Sequence, residues 1–277
     1  MTHVQNEPLA AQAGAAVSVS LRLPWCDGAG DSTCRILSRG VAIFMTEYVR
    51  FQPASDQSLL VYLGRRITLE AHERVAKLLR LLACEPIPSV RNLHPAYCSL
   101  LVKFDALKLD HAQLEATLRE YLERLAQIQL PQPRQLEIPV CYGGEFGRDL
   151  EDVAALHGMS PARVIELHAS VTYVVYFLGF VPGFAYLGEL PEALATPRLA
   201  APRKSVPAGS VGIAGNQTGV YPFATPGGWR LIGRTPVEMF RPDRSEMSAL
   251  SLGDRVRFVS ISGDRFAELA RTRLGRA

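Results

Sequence analysis

GFVPGFAYLGELPEALATPRLAAPRKSVPAGSVGIAGNQTGVYPFATPGGWRLIGRTP, residues Gly179–Pro236, is the stretch on which the fold turns. Its 58 residues hold 10 glycines and 8 prolines, a composition that taken alone points to disorder. Aromatic and aliphatic residues are threaded through it, however: Phe180, Phe184 and Tyr186, then Val211 and Ile213, then Tyr221, Phe223, Trp229, Leu231 and Ile232. Short apolar segments between Gly/Pro turns predict a barrel of short strands with tight corners. The same stretch has charge of one sign. From Ala193 to Val237 there are five basic residues (Arg198, Arg203, Lys204, Arg230 and Arg234) and no acidic one. A region that cannot neutralise itself suits an anion, because an arginine offers two parallel donors to a carboxylate or phosphate. For any one of these arginines the alternative is a solvated side chain, or one that ties down a loop.

Outward from this stretch, Leu136–Tyr142 reads as a strand. Asp149–His157 reads as a short helix closed by Gly158, with Glu151 and Asp152 in its first turn meeting the helix dipole. Ser160-Pro161 starts another helix carrying Val164, Leu167 and His168, followed by a strand at Val171–Phe177. Arg255–Ile261 alternates cleanly and closes the domain, and Asp264–Leu274 reads as a terminal helix.

The N-terminal half has another texture. Strands are predicted at Tyr48–Gln52 and Ser58–Leu63, with a turn at Pro53–Asp56, and again at Tyr97–Phe104. A helix over Leu69–Ala83 places Val75, Leu78, Leu79 and Leu82 on one face, with Thr68 as cap and Pro86 and Pro88 as stops. A second helix runs over His111–Ile128, with Asp110 and Gln113 spaced for a capping box. The expected fold class is an α+β N-terminal domain, its two helices over a small antiparallel sheet, followed by a mainly β barrel domain. The expected units are an extension at 1–43, an α+β domain at 44–133, a barrel at 134–262 and a helix at 263–277. Within the extension, Val17–Leu23 alternates like a short strand.

Bulk properties exclude several classes. The net charge of +3, from 30 basic and 27 acidic residues, is too mild for nucleic acid as the main partner. No apolar run reaches the roughly 18 residues that span a bilayer, and the N-terminus lacks a secretory pattern. The five cysteines, Cys26, Cys34, Cys84, Cys98 and Cys141, form no CxxC pair, so neither a disulfide framework nor a structural zinc site is expected. Cys98 and Cys141 lie in apolar runs, as small buried hydrophobes do. The chain reads as cytoplasmic, with no membrane and no metal. It has no P-loop, no HExxH and no GxSxG motif, so no self-sufficient catalytic set is visible. Among single residues, His168 is the candidate general base, with a satisfied structural histidine as its alternative; His94 and His157 have weaker cases. Ser205, Ser210 and Thr235 offer hydroxyls without an adjacent base.

Three runs, LGFVPGFAYLGELP (Leu178–Pro191), PRLAAPRKSVPAGSVGIAGNQTGVYP (Pro197–Pro222) and TPGGWRLIGRTP (Thr225–Pro236), closely resemble one family. It is variously called the B subunit of 5-oxoprolinase, allophanate hydrolase subunit 1 and sporulation-kinase inhibitor. IPVCYGGEFGRDLEDVA (Ile138–Ala154) fits the same pattern; SDQSLLVYLG (Ser55–Gly64) and YCSLLVKFD (Tyr97–Asp105) fit it more loosely. Tyr62 stands where the family usually has an acidic residue, and Ser55 where Asp or Gly often stands. The resemblance covers about Phe44 to Ile261 and implies a cyclophilin-like barrel for the second domain. It also implies a non-autonomous subunit that works with a larger barrel-type partner, of the kind that serves as the C subunit of 5-oxoprolinase. A third partner, of the A-subunit type, joins them in ATP-dependent opening of 5-oxoproline to glutamate. ATP would sit at a site shared with a partner. On that basis Arg203 and Arg234 are the expected anion clamps, with Arg198 and Lys204 assisting. Gln217, Tyr221 and Thr235 orient substrate, and His168 is the base. Two other readings stay open: a member of the allophanate and urea carboxylase branch, and an inhibitor of a sensor histidine kinase that docks through Phe184, Tyr221 and Trp229.

Overall fold

The computed structural model describes residues 48–274. The expected extension and its Val17–Leu23 strand, together with Cys26, Cys34 and Phe44, lie outside the described residues.

The first unit is a four-stranded antiparallel sheet in the order β1-β2-β4-β3. Its strands are β1 (Arg50–Ser55), β2 (Ser58–Tyr62), β3 (Val90–Pro95) and β4 (Ser99–Phe104). Helix α1 (Leu69–Cys84) lies between β2 and β3, and α2 (His111–Glu123) follows β4. Leu59, Val61, Leu100 and Val102 of the sheet pack with Val75, Leu78 and Leu82 of α1 and with Leu114 and Leu118 of α2. The caps are as the sequence dictates. Thr68 Oγ1 accepts the Ala71 N–H at 3.1 Å. Asp110 and Gln113 form a reciprocal capping box at 2.8 and 3.0 Å.

Three local readings are corrected. Strand β1 runs on through Pro53 to Ser55, with the turn at Asp56-Gln57. It is an edge strand, where a missing N–H costs nothing. Strand β3, VRNLHP, has no counterpart in the sequence pattern: it is polar, bulged between Val90 and Asn92, and held by its pairing with β4 rather than by its own alternation. Helix α2 ends at Glu123 and tightens into a 3₁₀ turn at Leu125–Gln127.

The second unit is a closed seven-stranded barrel, ordered around its wall β10-β7-β6-β13-β5-β12-β9. Four of these strands come from the Gly/Pro-rich stretch: β7 (Ala185–Gly188), β9 (Ser210–Ala214), β10 (Gln217–Val220) and β12 (Arg230–Arg234). Three come from its flanks: β5 (Gln135–Tyr142), β6 (Thr172–Leu178) and β13 (Arg255–Ser260). Strand β13 enters between β5 and β6, parallel to β5 and antiparallel to β6. The barrel is filled by Val140, Tyr173, Val175, Leu187, Ile213, Ile232 and Phe258, all at most 3 % exposed. Helices α3 (Leu150–Leu156) and α4 (Pro161–Ala169) add Leu150, Val153 and Val164 to the same core. Strands β8 (Arg203–Val206) and β11 (Thr225–Gly227) pair antiparallel in a separate two-stranded sheet, and Val206 packs in a second cluster with Phe184, Tyr221, Trp229 and Leu231. Helix α5 (Gly263–Leu274) packs on β5.

Gly147 shows how closely the chain approaches itself before α3. A Cβ there would stand 2.0 Å from the Ile232 carbonyl oxygen and 2.7 Å from the Gly233 nitrogen, both backbone atoms of β12. Gly147→Ala is therefore expected to cost about 2–3 kcal/mol. Urea unfolding should show a lower midpoint with an unchanged slope.

Candidate functional site

Two arginines of the basic stretch, Arg203 and Arg230, meet acids from outside it. Asp149 stands at the N-cap position of α3, yet its side chain makes no cap hydrogen bond. Its carboxylate turns to β8 and β12 instead. Arg203 Nη2 meets Oδ1 at 2.5 Å, the Leu231 N–H donates to Oδ2 at 2.6 Å, and Arg203 Nη1 donates to the Trp229 carbonyl at 3.2 Å. The Asp149 side chain is 5 % exposed and that of Arg203 20 %. The sequence casts Arg203 as a clamp for a substrate anion; the structure corrects this, because its fork is already committed to a buried carboxylate. Glu151 and Asp152 do lie in the first turn of α3. Asp152 also comes within 3.7 Å of Arg230.

His168 is corrected as well. It is fully buried, its ring stacked on Phe258 at 4.6 Å. Nδ1 lies 2.8 Å from the Tyr142 hydroxyl and Nε2 lies 2.9 Å from Thr218 Oγ1. The single Thr218 proton goes to the Gly212 carbonyl, so Nε2 carries the ring proton and Nδ1 accepts from Tyr142. Burial pushes this imidazole from 6.5 down to about 3. Such a ring joins α4 to the barrel wall; it has neither the access nor the free nitrogen of a base.

Thr235, expected to touch substrate, is buried and its Oγ1 accepts the Val237 N–H at 3.1 Å, closing a turn. Tyr221, expected to orient substrate, is 2 % exposed and packs with Val206 of β8 and with Phe184, its ring edge-on to Phe184 at 5.3 Å. Phe184 and Trp229, expected with Tyr221 as docking anchors, are 2 % and 6 % exposed and form the same cluster. Gln217 is half-buried on β10.

Three of the predicted cations remain available. Arg198 and Lys204 are exposed, and among the described residues no carboxylate lies within ion-pair distance of either. Arg234 is half-buried; its Nε donates to the Ala208 carbonyl at 2.8 Å, which leaves the outer edge of the fork. Burial raises the hydroxyl pKa of Tyr186 and Tyr221 of the barrel and of Tyr97, in the turn between β3 and β4, and the charge of Arg198 opposes the rise in all three. Tyr97 packs on Tyr176 at 5.1 Å and on Phe177 at 4.9 Å, so it forms part of the seam between the two units. Sequence reasoning overlooks Asp149 and Tyr97. The first looks like an ordinary helix start, and the second like a strand residue.

Residues 49–250 match the family model described as carboxyltransferase domain, subdomain C and D. The chain belongs to that family. The match takes in β1 through β12, and so includes the seam, the Asp149–Arg203 pair and all the basic residues. Within the family the chain is similar to a protein from Bacillus subtilis (strain 168) that is named as the B subunit of 5-oxoprolinase. The two are 43 % identical over 228 residues, which is 79 % of this chain and 95 % of the relative. A protein of the same name from Escherichia coli O157:H7 is 47 % identical over 209 residues, 74 % of this chain and 92 % of the relative. Among solved structures, TTHA0988 superposes with a TM-score of 0.66 at 39 % identity over 75 % of this chain. The chain spans only 40 % of the length of TTHA0988. The Kluyveromyces lactis urea carboxylase shares the fold, with a TM-score of 0.67 at 18 % identity over 81 % of this chain and 23 % of the other.

Two outcomes follow from the buried polar groups. Asp149→Ala and Arg203→Ala should each lower stability by about 3 kcal/mol, since each strands one buried partner. The double variant should lose clearly less than the sum, as measured by chemical denaturation. The second outcome concerns pH. The folded His168 resists protonation until about pH 3 and His72, also lowered by burial, until about 4, whereas the unfolded chain takes up both protons near 6.5. Their contribution is complete above pH 6.5. It falls by about 1.4 kcal/mol per pH unit for each group as the pH drops from 6.5 towards 4. His168→Gln should flatten this slope by about one proton in melting experiments between pH 7 and 5.

Proposed function

We propose that the chain is a non-autonomous subunit of an ATP-dependent 5-oxoprolinase, which opens the lactam of 5-oxo-L-proline to L-glutamate. The observation that carries this reading is the set of cations that the fold leaves uncommitted. Arg203 is held by Asp149, while Arg198 and Lys204 are exposed and Arg234 spends only its Nε, on the Ala208 carbonyl. Activation of a lactam by ATP transfers the γ-phosphoryl group to its carbonyl oxygen, breaking the β–γ bridge and releasing ADP, and the added negative charge needs fixed donors. Arginine and lysine donors from this chain meet that need, and a partner supplies the rest of the site. The kinship to proteins named as the B subunit of 5-oxoprolinase, over more than nine-tenths of their length, supports the same substrate.

ATP is bound at a site shared with a larger barrel-type partner, and the complex is completed by a third subunit. Phe180 supplies the partner-facing anchor in place of the buried Phe184, Tyr221 and Trp229. It is 59 % exposed, and it sits at φ 66° in a three-residue turn closed by the Val181 N–H to the Gly179 carbonyl at 2.8 Å. That conformation is strained for a bulky residue, and it presents the ring rigidly. An allophanate substrate would use the same cations, and substrate choice separates the two branches.

The test is reconstitution. Purified with its larger partner and the third subunit, the chain should support ATP hydrolysis that depends on 5-oxo-L-proline, and omission of the chain should abolish it. Arg198→Ala combined with Arg234→Ala should lower kcat/KM by about tenfold or more. Full activity of that double variant would remove these residues from the site. Turnover driven by allophanate and not by 5-oxoproline would move the chain to the other branch.

A further inference from the structure

Arg230 is a cation that the fold sinks and does not use. It opens β12 opposite Ile213, which is fully buried in the barrel core, so it stands on the barrel-facing side of the strand. Its chain neighbours Trp229 and Leu231 belong to the second cluster, on the other side. Only 23 % of the Arg230 side chain is exposed. Its Nε is buried without a hydrogen-bond partner, and among the described residues neither of its other nitrogens makes a hydrogen bond. The carboxylate of Asp152, on α3, lies 3.7 Å from Nη1, too long for a hydrogen bond, and is itself 70 % exposed. A guanidinium sunk this far without a bonded acceptor costs stability, so its retention calls for an acceptor that the described residues do not supply. Arg134 shows the satisfied case. Its Nε and Nη2 donate side-on to the two oxygens of Asp254 at 2.9 and 2.6 Å. In Arg230 the corresponding edge is unused, because Asp152 approaches on the Nη1 side.

We propose that the Nε–Nη2 edge of Arg230 is an oxyanion-binding site that takes a carboxylate or phosphate group side-on, with Asp152 as the screen that faces the cation while no anion is bound. Two oxygens on one carbon or phosphorus match this edge as Asp254 matches that of Arg134. No hydrogen bond holds the Arg230 guanidinium in place, so it turns to present the edge at the cost of one long ion pair. Asp152, mostly in solvent, swings clear, and its charge opposes the incoming anion and keeps the affinity modest. Arg203 cannot take the same anion, because its own fork is filled by Asp149. The proposal does not rest on the 5-oxoprolinase reading, which leaves Arg230 aside.

The experiment titrates the purified full chain with inorganic phosphate and separately with acetate, against chloride at matched ionic strength, and follows the arginine Nε–H signals by heteronuclear NMR. The signal missing from Arg230→Lys belongs to Arg230. It should shift saturably with phosphate, with acetate or with both, and not with chloride; the anion that moves it identifies the ligand as a phosphate or a carboxylate group. Asp152→Asn should tighten binding roughly two- to fivefold, since a competing carboxylate has gone. Arg230→Lys should weaken it about tenfold or more, because an ammonium offers no parallel donors. Arg230→Met should melt at or above the native temperature in the absence of both anions, and the bound anion should raise the melting temperature of the native chain alone. An Arg230 signal that neither anion moves, or that chloride moves equally, overturns the proposal. Asp152 is exposed, so Asp152→Asn folds whatever the Arg230 variants do, and an unchanged midpoint in it overturns the proposal as well. No partner subunit is present, so neither result bears on the 5-oxoprolinase reading.

Discussion

Asp149 gives one carboxylate oxygen to a guanidinium on β8 and the other to a backbone N–H on β12. A carboxylate this deeply buried is tolerable only when both oxygens are bonded. The arrangement therefore joins three elements at once: the start of α3, the β8–β11 sheet and the first residues of β12. The two-stranded sheet lies outside the closed barrel and is only a few residues long. The tether and the packing of Val206 with Tyr221 and Trp229 join it to the aromatic cluster. The surface that displays Lys204 depends on a charge supplied 54 residues earlier in the chain.

The same pair explains why a one-signed charge pattern misleads in part. The absence of acids between Ala193 and Val237 is real, but linear composition cannot show which distant acid folds in. Asp149 looks like any residue opening a helix, since Asp is common there. Its side chain is the exception, turned inward instead of capping. His168 misleads for a related reason. A histidine near the end of a helix is ambiguous in sequence, and its two partners, Tyr142 and Thr218, lie 26 and 50 residues away.

What is legible in the sequence has local causes. The caps at Thr68, Asp110 and Ser160 follow from spacing alone, and each forms. The apolar face of α1 follows from period, and all four named residues are buried. The barrel is legible because interleaved aromatics make no sense in a linker. Strand β3 is not, because an edge strand rich in polar residues is defined by its neighbour. The seam at Tyr97 is hidden for the same reason: it exists only where two separately readable units meet.

Strand β13 has a bearing on biosynthesis. It wedges between β5 and β6, so the wall of the barrel stays open until residues near Ser260 have left the ribosome. The four-stranded unit and its helices use contacts within residues 49–128 almost entirely, and can settle much earlier. During the interval the nascent chain carries two unpaired strand edges, the kind of surface that invites misassociation. A chain stopped short of Arg255 would keep those edges for good, and quality control would meet a half-folded protein whose first unit is already native.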